Sequence, residues 1–224
     1  MKVGALLMVL ALTPLAQAAT VEVRGTRDGG FAARVVSVKE ARFTTTVRQQ
    51  YDFSCGSAAI ATLLTYHYGI PVTEREAFAQ MFEHGDQAKI RKHGFSMLDM
   101  KRYLESRGFH ADGFEQPLER LEQERLPAIV LLSERGYKHF VVVKGIGRGR
   151  VLVGDPAMGT RSISFDRFSH LWVNQLLFVV HNRRELARFN LESDWHVAPE
   201  APLFQAIDRQ RLLDSLPVRR AGAF

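Results

Sequence analysis

Gln49-Gln50-Tyr51-Asp52-Phe53-Ser54-Cys55-Gly56-Ser57-Ala58-Ala59, continuing to Tyr68, is the stretch from which the fold is read. It holds the only cysteine in 224 residues. Ser54 stands directly before that cysteine, and a serine hydroxyl can accept from an unpaired N–H of a first helical turn. Small and apolar residues without proline follow, and Gly69 and Pro71 supply a stop. The pattern predicts a helix over 55–68, packed closely through Gly56, Ser57, Ala58, Ala59 and Ala61, with the thiol in its first turn. Unpaired N–H groups and the positive dipole end favour a thiolate there, which makes Cys55 a candidate nucleophile. A lone cysteine is by itself more often a small buried hydrophobe, so the assignment depends on compartment and partners.

Residues 1–18 read as a secretory signal, with Lys2 at the start, an apolar core over Ala5 to Leu12, and the small-x-small site Ala16-Gln17-Ala18. That core, and every later segment, falls short of the roughly 18 apolar residues that span a bilayer. The expectation is an exported, periplasmic protein. In an oxidising compartment a single cysteine has no intramolecular disulfide partner, so it stands as a free or intermolecular thiol. A net charge of +6 is modest and spread along the chain, without the clustered basic and aromatic stripe of a nucleic-acid binder. No closely spaced His/Cys/Asp cluster suggests a metal site, and no cofactor is implied.

The rest of the chain falls into helices followed by strands. Thr20 to Val47 is β-rich, including Arg42 to Val47, and reads as a hairpin or edge strands. Thr73-x-x-Glu76 and Ser96-x-x-Asp99 are capping boxes that open two helices, the second closed by Gly108. Pro117 opens a short helix to about Arg125. Strands are expected over 128–132, 139–144, 150–154, 160–164 and 176–181, with a helix over 166–171. The layout is α+β: a helical part carrying the cysteine helix, packed on an antiparallel sheet around one core. Domain bounds follow as an N-terminal β extension over 19–45, a catalytic domain over 46–182 and a C-terminal extension over 183–224, with a surface helix over 203–216.

A cysteine nucleophile needs a nearby base, and the base needs an orienting group. Of the eight histidines, His139 opens a strongly hydrophobic strand right after a turn, where a scaffold presents a side chain to a cleft. Asp155 ends the next strand, and hairpin pairing of 139–144 with 150–154 would bring it to the same end of the sheet as His139. A strand-end histidine and an Asp-Pro step are weak signals alone. The order Cys, His, Asp, with a helix tip facing two strand ends, is the geometry of papain-like thiol enzymes.

These residues resemble the bacteriocin-processing, double-glycine leader peptidases. Gln49, then Cys55-Gly56-x-Ala58-Ala59 with Tyr66 to Gly69 closing the helix, is similar to their cysteine motif. Lys138-His139-Phe140-Val141-Val142 resembles their histidine motif, and Asp155-Pro156-x-x-Gly159 their aspartate motif; Ile163 to Phe168 followed by Trp172 fits the segment after it. The resemblance runs from about Thr46 to Val180 and implies a papain-like cysteine peptidase. By position it makes Cys55 the nucleophile, His139 the general base and acid, Asp155 the orienter and Gln49 the oxyanion donor, with Gln50 the less favoured candidate for that last role.

The chain departs from the family in having Ser54 where an aspartate is usual, and in lacking the fused transporter and ATPase of the best-known members. The single-domain, signal-bearing form looks more like the stand-alone peptidase-like proteins of secretion operons, most of all those of functional-amyloid systems. Its implied partners are a protein or peptide substrate from a co-secreted subunit and an outer-membrane secretion apparatus. Exported cell-wall amidases and transglutaminase-like acyltransferases share the Cys, His, Asp order, and a silent peptidase fold that binds a leader is a further alternative.

Overall fold

The structure is a computed structural model that describes residues 20–24, 30–34 and 37–197. The signal read over 1–18 and the helix read over 203–216 lie outside the described residues. Contacts divide the chain into two compact units, 1–41 and 42–224. The first holds an antiparallel hairpin of β1 (Thr20–Arg24) and β2 (Gly30–Arg34), in the register Thr20 to Arg34, and the single turn α1 (Val38–Ala41).

The second unit starts with α2 (Cys55–Thr62), every residue of which is buried. Its small side chains allow the close approach: a Cβ on Gly56 would lie 2.9 Å from the Phe95 Cβ. The helix expected to reach Tyr68 changes at Leu63 into a π-helical turn over Leu63–His67. Thr62 bears on this change, because its hydroxyl donates back to the Ala58 carbonyl at 2.8 Å and accepts the Val47 N–H at 2.9 Å.

The helices α3 (Glu74–His84) and α5 (Met97–Ser106) pack on α2, and α4 (Gln87–His93) packs on α3. Ser96 and Asp99 form the full capping box, whereas Thr73 completes only its half, since Glu76 turns instead to Arg107. Gly108 follows α5 at φ +76°, a left-handed conformation that suits glycine. Then come β3 (Ala111–Glu115), α6 (Glu119–Glu124), β4 (Ala128–Glu134), β5 (Tyr137–Gly147), β6 (Arg150–Asp155), β7 (Gly159–Ser164), α7 (Phe165–Leu171), β8 (Leu176–Val180) and α8 (Glu192–Val197). The six strands make one antiparallel sheet in the order β3-β8-β4-β5-β6-β7.

The sheet has a hydrophobic core on each face, which explains why β4 and β5 carry unbroken apolar runs over 128–132 and 140–143. Alternation with period two sends Phe140 and Val142 toward the α2 side, and Val141 and Val143 toward the core shared with α6 and α7. This is the expected α+β architecture. Two local readings need correction, and two short elements were not foreseen. Arg42 to Val47 is irregular rather than a strand, because Thr45 and Thr46 direct their hydroxyls into buried side-chain bonds. Helix α4 and edge strand β3 come from short segments without a distinct apolar period. Ser54 does not cap α2: its hydroxyl donates to the Tyr51 carbonyl at 2.9 Å and accepts the Tyr51 N–H at 3.1 Å, closing the turn before the cysteine.

Residues 183–197 are anchored to the sheet. Phe189 is buried in the second core, and the Asn190 N–H donates to the Lys144 carbonyl at 2.9 Å. Lys144, fully buried at a register shift in β5, pairs with the buried Asp194 at 3.0 Å and donates to Thr45 at 2.7 Å.

Candidate active site

The hairpin of β4 and β5 turns on Arg135 and Gly136, both at positive φ (52° and 82°), so two residues suffice to reverse the chain. That tight turn puts His139 near the strand end, and pairing of β5 with β6 brings Asp155 beside it. His139 Nε2–H donates to Asp155 Oδ2 at 3.1 Å. Since a carboxylate only accepts, the proton of this bond sits on Nε2, and in the neutral imidazole Nδ1 keeps its lone pair. That Nδ1 is buried and makes no hydrogen bond.

Cys55 opens α2, which packs against β5, and its thiol lies near the backbone N–H of Phe140, the neighbour of His139. The structure therefore gathers Cys55, His139 and Asp155 where α2 meets β5 and β6. Burial pushes the Cys55 thiol up; N–H groups of Phe140, Gly56 and Cys55 itself oppose this, and Asp155 adds to it. The helix position expected to favour a thiolate is thus outweighed by desolvation in the resting protein.

Asp155 is completely buried, which alone would raise its pKa, yet His139, Arg161 and the Ala157 N–H together hold it below the usual carboxylate range. Its Oδ1 accepts from the N–H groups of Ala157 and Met158 at 2.9 and 3.2 Å. Arg161 on β7 approaches Oδ2 at 3.0 Å and reaches Glu134, the last residue of β4, at 3.2 Å. Glu134 is held in turn by Arg167. Neither Arg161 nor Glu134 was singled out in the sequence, where each is one charge among many.

Gln49 is half-buried beside the site: its N–H donates to the Pro156 carbonyl at 3.0 Å, and Nε2 donates to the Tyr51 carbonyl at 3.1 Å. An amide nitrogen carries a second N–H that this bond does not use. Gln50 is exposed. Among the described residues, no group of three or more His, Cys, Asp or Glu could hold a metal ion, and no helix is long and apolar enough to cross a membrane.

A buried thiol, an imidazole with a bare nitrogen and a carboxylate on the opposite ring nitrogen are the parts of a thiol hydrolase. Residues 44–184 match the Peptidase C39 family, and the chain belongs to that family: it is a cysteine peptidase with a papain-like fold. Among its relatives is the "Probable functional amyloid protease FapD" of Pseudomonas aeruginosa, 44% identical over 176 residues, which are 78% of this chain and 76% of that protein. The protein of the same description from Pseudomonas fluorescens is 44% identical over 147 residues, 66% of this chain and 65% of the relative. Among solved structures, the peptidase domain of Streptococcus ComA, a bi-functional ABC transporter involved in a quorum-sensing pathway, superposes with a TM-score of 0.51 at 20% identity. That match covers 61% of this chain and 97% of the domain, a likeness of fold.

Proposed function

We propose that Cys55 is the nucleophile, His139 the general base and acid, Asp155 the orienter and Gln49 an oxyanion donor of an exported peptidase. Its substrate is an extended segment of a co-secreted protein, cut after a small residue. The observation that carries this reading is the His139–Asp155 bond at 3.1 Å, which leaves Nδ1 bare and buried next to the cysteine helix.

In this scheme the sulfur attacks the scissile carbonyl carbon as the thiol proton passes to His139 Nδ1. Coupling of the two steps suits a thiol whose burial disfavours a standing thiolate. The oxyanion accepts from the second Gln49 amide N–H and from the N–H of Cys55 at the helix start. The C–N bond then breaks, with His139 returning its proton to the departing amine. Water, deprotonated by His139, hydrolyses the thioester and regenerates the thiol. Asp155 keeps the imidazole in the tautomer these transfers require.

The relatives described as functional amyloid proteases support an amyloid subunit or its secretion partner as substrate, in the periplasm. The test compares the N-termini of proteins secreted by cells carrying wild type, Cys55→Ala, His139→Ala or Asp155→Asn. A terminus after Gly or Ala that is lost in the first two variants, and weakened in the third, is expected. Altered peptidoglycan fragments with unchanged protein termini would point to a wall amidase, and no chemical change to a binding module.

A further inference from the structure

Cys55 is 8% exposed and His139 6%, although a peptide carbonyl has to come within about 3.5 Å of the sulfur for attack. Something covers the pair. Tyr137, the first residue of β5, stacks its ring on His139 with centroids 5.6 Å apart and planes 21° from parallel. Its hydroxyl donates to the Asp52 carbonyl at 2.9 Å. Asp52 lies in the loop that carries Gln49 and leads into Cys55, while Tyr137 stands on the strand that carries His139. The Tyr137–Asp52 bond therefore joins the loop that leads into the cysteine to the strand that carries the histidine. Burial first, and then the proximity of Cys55, raise the phenol's pKa, in keeping with an oxygen turned inward although the residue as a whole is 51% exposed.

The geometry points to Tyr137 as a gate over the thiol, latched shut by its hydroxyl on Asp52. The tyrosine backbone is held by pairing with Glu134 across the two-residue turn. The side chain is tied by that hydrogen bond, by the Gln49 side chain at the same hydroxyl and by the ring stack, so rotation about χ1 opens the cleft without unpairing the strand. Substrate entry replaces the intramolecular bond on Asp52, so the latch selects for extended segments that bring an N–H donor of their own. That use of the gate rests on the peptidase reading; the gate itself does not.

The test is the alkylation of Cys55, the only thiol, by iodoacetamide and by a naphthyl-substituted iodoacetamide of the same chemistry. The ratio of the two rate constants cancels the thiolate fraction and reports steric access alone, whether or not any peptide is cleaved. Tyr137→Phe keeps the ring but loses the latch, and should raise the bulky-to-small ratio roughly fivefold, the population shift that one net hydrogen bond supports. Tyr137→Ala should raise it further. Unchanged ratios in both variants, with circular dichroism like that of wild type, would overturn the gate. A rise in Tyr137→Ala alone would overturn the latch, because the ring would then shield the thiol without its tie.

Discussion

Arg161 lies side-on to Asp155, with Nε and Nη2 at 3.1 and 3.0 Å from the carboxylate oxygen that also takes the His139 N–H. One oxygen thus serves a guanidinium and an imidazole together, inside a site where Asp155 has no exposure. The guanidinium keeps the carboxylate ionised and makes it a poorer base toward His139. Through Glu134 it also ties Asp155 to the end of the hairpin that presents the histidine.

Arg161 is a positioning residue, and its loss should show in the pH profile. Removing a cation raises the pKa of every ionisable neighbour, so the acidic limb of kcat/KM in Arg161→Gln is expected at higher pH. A fall in kcat of about tenfold with little change in KM should accompany it. Arg161→Lys should return the limb most of the way while recovering only part of kcat, since an ammonium lacks the planar fork. A limb that stays in place in Arg161→Gln would confine the residue to a structural role.

Burial of Cys55 makes a second prediction, opposite to that drawn from its helix position. With desolvation raising the thiol, alkylation of the unliganded protein by iodoacetamide should have its midpoint above the free-thiol value of 9.0. Unfolding in urea should bring the midpoint back down. A midpoint below the free value in the folded protein would mean that pairing with His139 overrides burial.

The Lys144–Asp194 pair is the third case. Both side chains are essentially inaccessible, at 0% and 1% exposure, so Asp194→Ala leaves an ammonium buried without its counter-charge. We expect a loss of about 3–5 kcal/mol in urea unfolding. The double change Lys144→Met with Asp194→Leu should cost much less, because it removes both desolvated charges. Equal losses in the single and double variants would mean that packing of α8, rather than charge, is what the pair contributes.

His67 supplies an acid-sensitive element away from the catalytic cleft. Its Nδ1–H donates to the Arg188 carbonyl at 2.7 Å, and burial first, then Lys144, lower its pKa from 6.5 to about 4. Between those values the unfolded chain binds a proton that the folded one refuses. Stability should therefore fall as pH drops from 6.5 toward 4, by as much as ~3 kcal/mol. The contribution of Asp155 is lost only below 3.8, so the two windows separate. Urea midpoints at pH 7 and 4.5 measure the effect, and His67→Gln should flatten the slope between them.

The parts of this protein that could be read in the sequence rest on short-range regularities. The cysteine helix follows from a run of small residues before Gly69, and the two cores follow from uninterrupted apolar strands. The approach of His139 to Asp155 follows from a hairpin, in which a few intervening residues leave the chain little choice of register. Tertiary structure decided what depends on distant partners. Ser54 is used in a turn rather than as a cap because Tyr51 offers both a donor and an acceptor. Arg161 finds Asp155 and Glu134 only once three strands are aligned, and Tyr137 reaches Asp52 across 85 positions of chain. The elevation of the Cys55 thiol has the same origin. A helix N-terminus is visible in sequence, but the water excluded from it is set by everything packed around it, and in this site exclusion outweighs the dipole.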